Sequence, residues 1–316
     1  MLPLVGVPMI EHVVEWLSPY GVSDVVLSLG YMPDSFMEAY PQGKIAGIDV
    51  TYAVEPEPLD TGGAIRFAAE FANIDETFLV VNGDVLTDLS VTKLLEFHLE
   101  RGAEATIALH PVEDPSRFGV VPTFPDGRVT SFVEKPPRHL APTNLINAGT
   151  YVFEPEVLDR IEPSRRVSVE REIFPALATS GSLFAMLDEA YWLDAGTPSA
   201  FIQANAYMIA RRLQGPNADN PHAESWIHPQ SFVDSSSKLL GSVIDRGCSV
   251  GADVLLDNVV LLPGAEVRMG SRVRNSIIGP SAVVGRSSRL GATCVVGAKV
   301  RVAEDSELSG DVRLTA

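Results

Sequence analysis

The sequence predicts two architectures in one chain. One is an α/β domain on a mostly parallel sheet, up to about residue 213; the other is a left-handed parallel β-helix from about residue 229 to 316. Three observations carry this. Near-continuous apolar strands alternate with amphipathic helices through the first part, the pattern of a sheet covered on both faces. The polar stretch QGPNADNPHAES (214–225) breaks that periodicity and marks a linker over 214–228. Beyond it, aliphatic residues recur every six positions with glycines behind them.

The elements follow in chain order. Pro8 suits a first helical turn, Ile10, Val13, Val14 and Leu17 share one helical face, and Gly21 ends the helix. Val25–Leu27 reads as a buried strand. A helix followed by a strand is half of a strand–helix–strand unit, so the sheet's first strand is missing from the pattern. Further strands are expected at 50–54, 78–84, 105–109 and 145–153, and helices at 62–72, 91–102 and 197–213. Asp126-Gly127 is a strong turn pair, and it predicts a hairpin between FGVV (118–121) and RVTSFVEK (128–135).

In the second part, Ile278, Val284, Leu290, Val296, Val302 and Leu308 keep a six-residue step, and Gly279, Gly285, Gly291 and Gly297 directly follow four of them. Ile244-Val250-Leu256 and Leu261-Val267-Val273 keep the same step, with slips between runs. Three such steps make one triangular coil whose inward aliphatics stack into a core. All six histidines precede residue 229, so the repeats carry no imidazole base, and an acyltransferase role is disfavoured. The coil reads as a structural or assembly domain whose exposed flanks could join a homo-oligomer.

Composition narrows the function classes. A formal net charge of −17 excludes the basic footprint of a nucleic-acid-polymer binder, but not a nucleotide site built from a few local donors. No apolar run is long enough to span a bilayer, and the first residues lack the features of a secretory signal, so cytoplasm is the expectation. The two cysteines, Cys248 and Cys294, lie far apart without metal spacing and read as buried free thiols.

Several short stretches are candidates for chemistry. In EPEPLDTGGAIRF (55–67), Thr61, Gly62 and Gly63 could let a ligand approach free N–H groups at a helix start, or could simply cap the helix. Asp84 directly follows an apolar strand, where open parallel sheets bind ligands, and stands with Asn82 and Gly83 in one turn. Such a carboxylate can hold Mg²⁺ while substrate phosphates supply further oxygens, or can close an Asx-turn. Glu134 and Lys135 occupy adjacent strand-end positions that point to opposite faces, which argues against a simple ion pair. The lysine could serve as a phosphate-binding point charge, or the pair could be a solvated edge. Asp194, ahead of a glycine turn and a long helix, is a second strand-end carboxylate.

Taken in order, EPEPLDTGG, NGD, FGVV, VEKP, NAGTYVF, SVEREIFPAL and WLDAGTP resemble the sugar-1-phosphate nucleotidyltransferases, closest to mannose-1-phosphate guanylyltransferases with a C-terminal hexapeptide-repeat domain. The resemblance covers essentially the whole chain. It implies a Rossmann-like sheet, nucleotidyl transfer from an NTP to a sugar-1-phosphate with release of pyrophosphate, and Mg²⁺ held by Asp84 and Asp194. Lys135 would bind the sugar phosphate and Glu134 the sugar hydroxyls. Gly119, Asn147, Gly149 and Glu170 would contact the sugar side, while Glu55, Thr61, Gly62 and Gly63 fall in the loop that reads the base. Many relatives carry glycine where this chain has Asp60. GTP with mannose-1-phosphate is the expected pair; glucose-1-phosphate with dTTP, UTP, CTP or ATP is the alternative, as is a non-catalytic sugar-nucleotide-binding regulatory subunit.

Family members also begin with a strand and a GxGTR-type phosphate loop, followed shortly by a Lys-Pro pair. No GxGTR occurs in this sequence, and Met1–Val5 correspond to the segment just after that lysine. The expectation is a truncated chain rather than a loop-less variant, its turnover left open by the missing loop, and aggregation-prone along an exposed sheet edge.

Overall fold

A computed structural model describes residues 2–213 and 225–315. Most of the expected linker, from 214 to 224, lies outside the described residues. The chain divides into two compact units: Ile10–Trp192, and Leu2–Met9 together with the chain from Leu193 onward.

The first unit opens with α1 (Met9–Leu17), which buries His12, Val13, Val14 and Leu17 and runs through a short 3-10 turn to Gly21, left-handed at φ 77°. A three-stranded sheet follows. β1 (Asp24–Leu29) pairs in parallel with β3 (Ile48–Val54), and the two-residue β2 (Lys44–Ile45) pairs antiparallel with β3. Helices α2 (Asp34–Ala39) and α3 (Asp60–Ala72) follow β1 and β3 respectively.

The main sheet is built from β4 (Phe78–Val81), β6 (Ala105–Pro111), β7 (Gly119–Val120), β8 (Val133–Glu134), β9 (Leu145–Phe153) and β10 (Leu183–Leu187). A short β5 (Val85–Thr87) and the helix α4 (Val91–Arg101) stand between β4 and β6, and α5 (Phe174–Ser180) precedes β10. The strand order is β8-β7-β9-β6-β10, with β4 also on β9. β6 and β10 run parallel, whereas β9 is antiparallel to β4, β6 and β7. That reversal has a local cause: β6 reaches β9 through the 119–134 hairpin rather than through a crossover helix. The hairpin itself is shorter than the sequence suggests, with ladder pairs only at Val133–Val120 and Glu134–Gly119 and a single bridge at Thr123–Val129. One side of the sheet packs into an aromatic core around Tyr151, Phe153 and Phe174. All four residues of β4 are only half-buried, and among the described residues β4 pairs with β9 alone and β1 with β3 alone.

The second unit is a parallel β-solenoid. Inward columns run Ile244–Leu261–Ile278–Val296–Leu314, Val233–Val250–Val267–Val284–Val302 and Leu239–Leu256–Val273–Leu290–Leu308, each residue in register with the next. The six-residue steps are the three sides of a coil. The slips occur where one strand bends round a corner without a break, as in Leu255–Leu261 at Asn258 and Arg272–Ile278 at Asn275. One column of corners is left-handed throughout: Gly241, Asn258, Asn275, Ala292 and Gly310, at φ 53°, 53°, 43°, 58° and 90°. Gly279 and Gly285 are required for a different reason. A Cβ on either would lie 2.7 and 2.6 Å from backbone atoms of the next coil.

Helix α6 (Pro198–Leu213) packs against the strands Leu255–Leu261 and Arg272–Ile278 within this unit. It accounts for an outward column on that side, Val243, Val260 and Ile277, which is aliphatic and buried where the corresponding positions 238, 272, 289 and 307 on another side are charged. Residues 3–8 form a tiny hairpin, Pro3–Leu4 against Val7–Pro8, rather than a bare entry to the helix. Its turn residues Val5 and Gly6 are both left-handed, at φ 50° and 76°. Tertiary contacts hold it: the Val5 N–H donates to Asn205 Oδ1 at 2.9 Å, and Gly6 lies under Trp226, where a Cβ would come within 2.5 Å of the ring.

Candidate active site

The ends of β4, β7, β8 and β9 bring most of the expected site residues together. β4 ends at Val81, paired with Thr150, so the Asn82–Asp84 turn emerges beside the middle of β9. There β9 carries a bulge between Asn147 and Tyr151. Gly149 makes the bulge, with φ 73°, and its carbonyl accepts the Asn82 N–H at 2.8 Å. A Cβ on Gly149 would sit 2.7 Å from Asn82 Nδ2. Ile146 pairs with Val120 and Glu134 with Gly119, so Asn147 and Glu134 flank the same strand end.

The amide of Asn147 is fixed at both ends. Oδ1 accepts the Gly149 N–H at 2.9 Å, and Nδ2 donates to the Tyr151 hydroxyl at 2.9 Å. That phenol, which the sequence hid in an apolar strand, is wholly buried, and its pKa is driven far upward. Burial is the main cause, and the charges of Glu170, Glu134 and Asp84 add to it. The Tyr151 hydroxyl therefore lies within the electrostatic reach of three carboxylates from different segments. The signal available in sequence was the i, i+2 spacing that puts Asn147, Gly149 and Tyr151 in one alternating series.

Lys135 departs from the expected geometry. Its φ is 49°, its N–H donates to the Phe118 carbonyl at 3.0 Å, and its ammonium lies 3.2 Å from Glu134 Oε1. The opposite-faces expectation fails because the chain leaves extended conformation at Lys135. The left-handed residue turns the side chain back onto its neighbour's carboxylate. The ammonium is 60 % exposed and remains open to a second anion. Gly119 is needed for packing, since a Cβ there would come within 2.3 Å of the Phe132 ring.

The start of α3 also differs from expectation. The Gly62 and Gly63 N–H groups are not free: both donate to the Val167 carbonyl, at 2.7 and 3.2 Å. The glycines permit the 165–169 segment to lie against the helix, because a Cβ on Gly63 would be 2.6 Å from the Arg165 carbonyl oxygen. Glu55 closes the preceding loop, with Oε1 accepting from Ser28 Oγ at 3.1 Å and Oε2 from the Leu59 N–H at 3.0 Å. Asp60 sits at φ 61°, the region where glycine is at ease, and its Oδ1 accepts the Thr61 N–H at 2.9 Å. Aspartate thus adopts a backbone shape that glycine reaches without strain. Glu170 lies on a π-helical turn, Val169–Ile173, and its Oε2 accepts from both Thr61 Oγ1 and Ser168 Oγ, at 2.7 and 2.8 Å.

Asp194 belongs to the second unit, where its Oδ1 accepts the Gly196 N–H at 2.7 Å ahead of α6. Among the described residues no group of three or more His, Cys, Asp or Glu side chains could hold a metal by itself. The donors on offer are carboxylate oxygens, which suit a hard divalent cation that completes its shell with substrate phosphates and water.

On the opposite side of β9 lies a small cavity lined by Thr87, Leu89, His110, Thr150, Asp188 and Trp192, among others. The Thr150 hydroxyl is buried there without a hydrogen-bond partner among the described residues. His110 stacks on Trp192, and burial lowers its pKa against the opposing pull of Asp188.

Both parts of the chain are similar to known proteins. Residues 1–211 match the family described as Nucleotidyl transferase, and residues 222–314 match the GMPPB C-terminal domain. A mannose-1-phosphate guanylyltransferase of Mycobacterium tuberculosis is 37% identical over 274 residues, covering 85% of this chain and 75% of its own length. The Dictyostelium discoideum mannose-1-phosphate guanylyltransferase catalytic subunit beta is 34% identical, over 96% of this chain and 86% of that protein. Among solved structures, HddC from Yersinia pseudotuberculosis complexed with GMP-PN aligns with a TM-score of 0.57 at 29% identity, over 66% of this chain and 88% of that one.

Proposed function

Since the chain belongs to the nucleotidyltransferase family that includes the mannose-1-phosphate guanylyltransferases, we propose that it joins GTP and mannose-1-phosphate into GDP-mannose with release of pyrophosphate. One observation carries the reading. The Asn82–Asp84 turn, Glu134, the fixed Asn147 and the open Lys135 ammonium stand at a single end of the sheet, and the charges of Asp84, Glu134 and Glu170 all reach the Tyr151 hydroxyl there. Guanine as the base is supported by the names of the relatives and by the GMP-PN complex of HddC.

The reaction is an in-line displacement. A phosphate oxygen of mannose-1-phosphate forms a bond to the α-phosphorus of GTP, and the bond from that phosphorus to the bridging oxygen breaks, its electron pair leaving with pyrophosphate. Two anions must be held together, so the chain's work is alignment and charge neutralisation. Lys135 supplies a positive point charge for the sugar phosphate. Asn147 and Glu134 orient the sugar hydroxyls, and Asn82 and Gly83 line the turn beside the phosphates. Glu55 and the loop it closes face the base. Members of this family use a divalent metal; Mg²⁺, with Asp84 and Asp194 as the residues that would hold it, would neutralise phosphate charge when bound. The 1–213 and 229–316 division into nucleotidyltransferase domain and β-helix belongs to the same reading. So does a cytoplasmic location, with which two free, buried cysteines agree. No helix among the described residues is long and apolar enough to cross a membrane.

Pyrophosphate release with Mg²⁺, run with mannose-1-phosphate and glucose-1-phosphate against five nucleoside triphosphates, tests the assignment. Fastest turnover with GTP and mannose-1-phosphate supports it. Faster turnover with another pair replaces the substrates, and neither turnover nor calorimetric binding in a folded sample overturns the reading.

A further inference from the structure

Thr61 stands in the loop expected to read the base, yet its hydroxyl is already committed. It donates to Glu170 Oε2 at 2.7 Å and accepts the Val169 N–H at 3.0 Å. Ser168 Oγ donates to the same carboxylate oxygen at 2.8 Å. One oxygen of Glu170 therefore holds two hydroxyl donors, while among the described residues Oε1 takes no hydrogen bond. The backbone repeats the connection, because the Gly62 and Gly63 N–H groups hold the Val167 carbonyl and the Val167 N–H donates to the Leu59 carbonyl at 3.0 Å. The start of α3 and the 167–170 segment are thus one hydrogen-bonded body.

We propose that Thr61 and Ser168 are positioning residues that lock Glu170 by its Oε2, leaving Oε1 to accept a hydrogen bond from a hydroxyl of the sugar-1-phosphate. This rests on the nucleotidyltransferase reading and reassigns Thr61 from the base side to the sugar side. A carboxylate tethered at one oxygen keeps a single orientation before the ligand arrives, so binding spends less in ordering it. Glu170's placement fits the role: it sits on a π-helical turn, a feature frequent at functional sites, and its charge is felt at the Tyr151 hydroxyl in the centre of the cluster.

The test is steady-state kinetics and calorimetry on the full chain with Thr61→Val, Thr61→Ser and Ser168→Ala. Thr61→Val loses one charge-assisted hydrogen bond, so the KM for mannose-1-phosphate should rise about tenfold while the KM for GTP stays within about twofold. Thr61→Ser, which keeps the hydroxyl, should recover most of the loss, and Ser168→Ala should show the same direction. A rise in the KM for GTP instead would return Thr61 to the base side and overturn the proposal. A lowered melting temperature with both KM values unmoved would reduce it to a structural bond and overturn it equally. Wild-type turnover decides the parent reading separately. If the wild-type chain binds mannose-1-phosphate calorimetrically without turning over, about tenfold weaker binding by Thr61→Val still supports the tether. Equal binding refutes it, and no binding by the wild type refutes it together with the parent reading.

Discussion

Gly149→Ala should be costly in a way that the neighbouring Gly83→Ala is not. Gly149 holds φ 73°, where an L-residue loses about 1–2 kcal/mol relative to glycine. Its new methyl would lie 2.7 Å from Asn82 Nδ2 and 3.0 Å from Asn82 Cγ. Asn82 is exposed and can swing away, so relieving the overlap costs about one rotamer distortion, roughly 0.5–1.5 kcal/mol. Together these give about 2–3 kcal/mol, and at about 2–4 °C per kcal/mol for a domain of this size the melting temperature should fall about 5–10 °C. Gly83 has no atom within 4 Å of an added Cβ and no left-handed backbone, so its alanine variant should stay within about 0.5 kcal/mol. Differential scanning fluorimetry on the two variants side by side is sufficient. Equal melting temperatures would show that the β9 bulge does not require glycine, and would remove the stated reason for Asn82 and Asn147 standing where they do.

Other outcomes follow from the same structure. Asp84→Asn should lower turnover about 10²–10³-fold with an unchanged melting curve, since it removes a carboxylate that would hold the divalent cation against the phosphates; pyrophosphate release near the wild-type rate would contradict its role. Thr150→Val should stabilise by about 1 kcal/mol, because it replaces a buried hydroxyl without a partner among the described residues by a methyl of the same shape; a lower melting temperature would reveal a partner for that hydroxyl in solution. Burial holds His110 below the ordinary imidazole range, so the native state resists its protonation. Its contribution is complete above the unfolded value of about 6.5 and is lost as pH falls through the lowered native value. The stability of His110→Phe should accordingly fall less than that of the wild type between pH 7.5 and 5.5, as read by urea midpoints, and parallel losses would refute the shift.

Much of the fold was legible because its signals are periodic. Inward aliphatics at six-residue steps named all three sides of the coil, and even the slips have a cause, since Asn258 and Asn275 tolerate the left-handed corners that shorten a step. What escaped depends on contacts distant in sequence. The Val5-Gly6 turn is invisible locally, because a β-branched residue at φ 50° is an outlier, and contacts with Asn205 and Trp226, distant in sequence, help to hold it. In the site, strand-end carboxylates and NAGTYVF pointed to the end of the sheet at which Asn147, Glu134 and the Asn82–Asp84 turn lie. The chemistry of individual groups was less readable: Lys135 turns out of its strand, the Gly62 and Gly63 amides are taken by Val167, and Tyr151 looks like one more core aromatic until Asn147 reaches it. Hydroxyls and amides choose partners in three dimensions, and sequence periodicity records only which face a residue occupies.

The left-handed corners also make the solenoid an instrument. Gly241, Asn258, Asn275, Ala292 and Gly310 occupy equivalent places at successive heights, buried at Gly241 and exposed at Asn275, Ala292 and Gly310, so one backbone conformation recurs under graded burial. Because a repeat array adds its stability coil by coil, each site can be exchanged for glycine or alanine and its cost measured against its neighbours. Ala292→Gly should gain stability and Gly241→Ala should lose it. The spread among the five heights would then calibrate how far the energy of one backbone conformation carries over between corners of different burial.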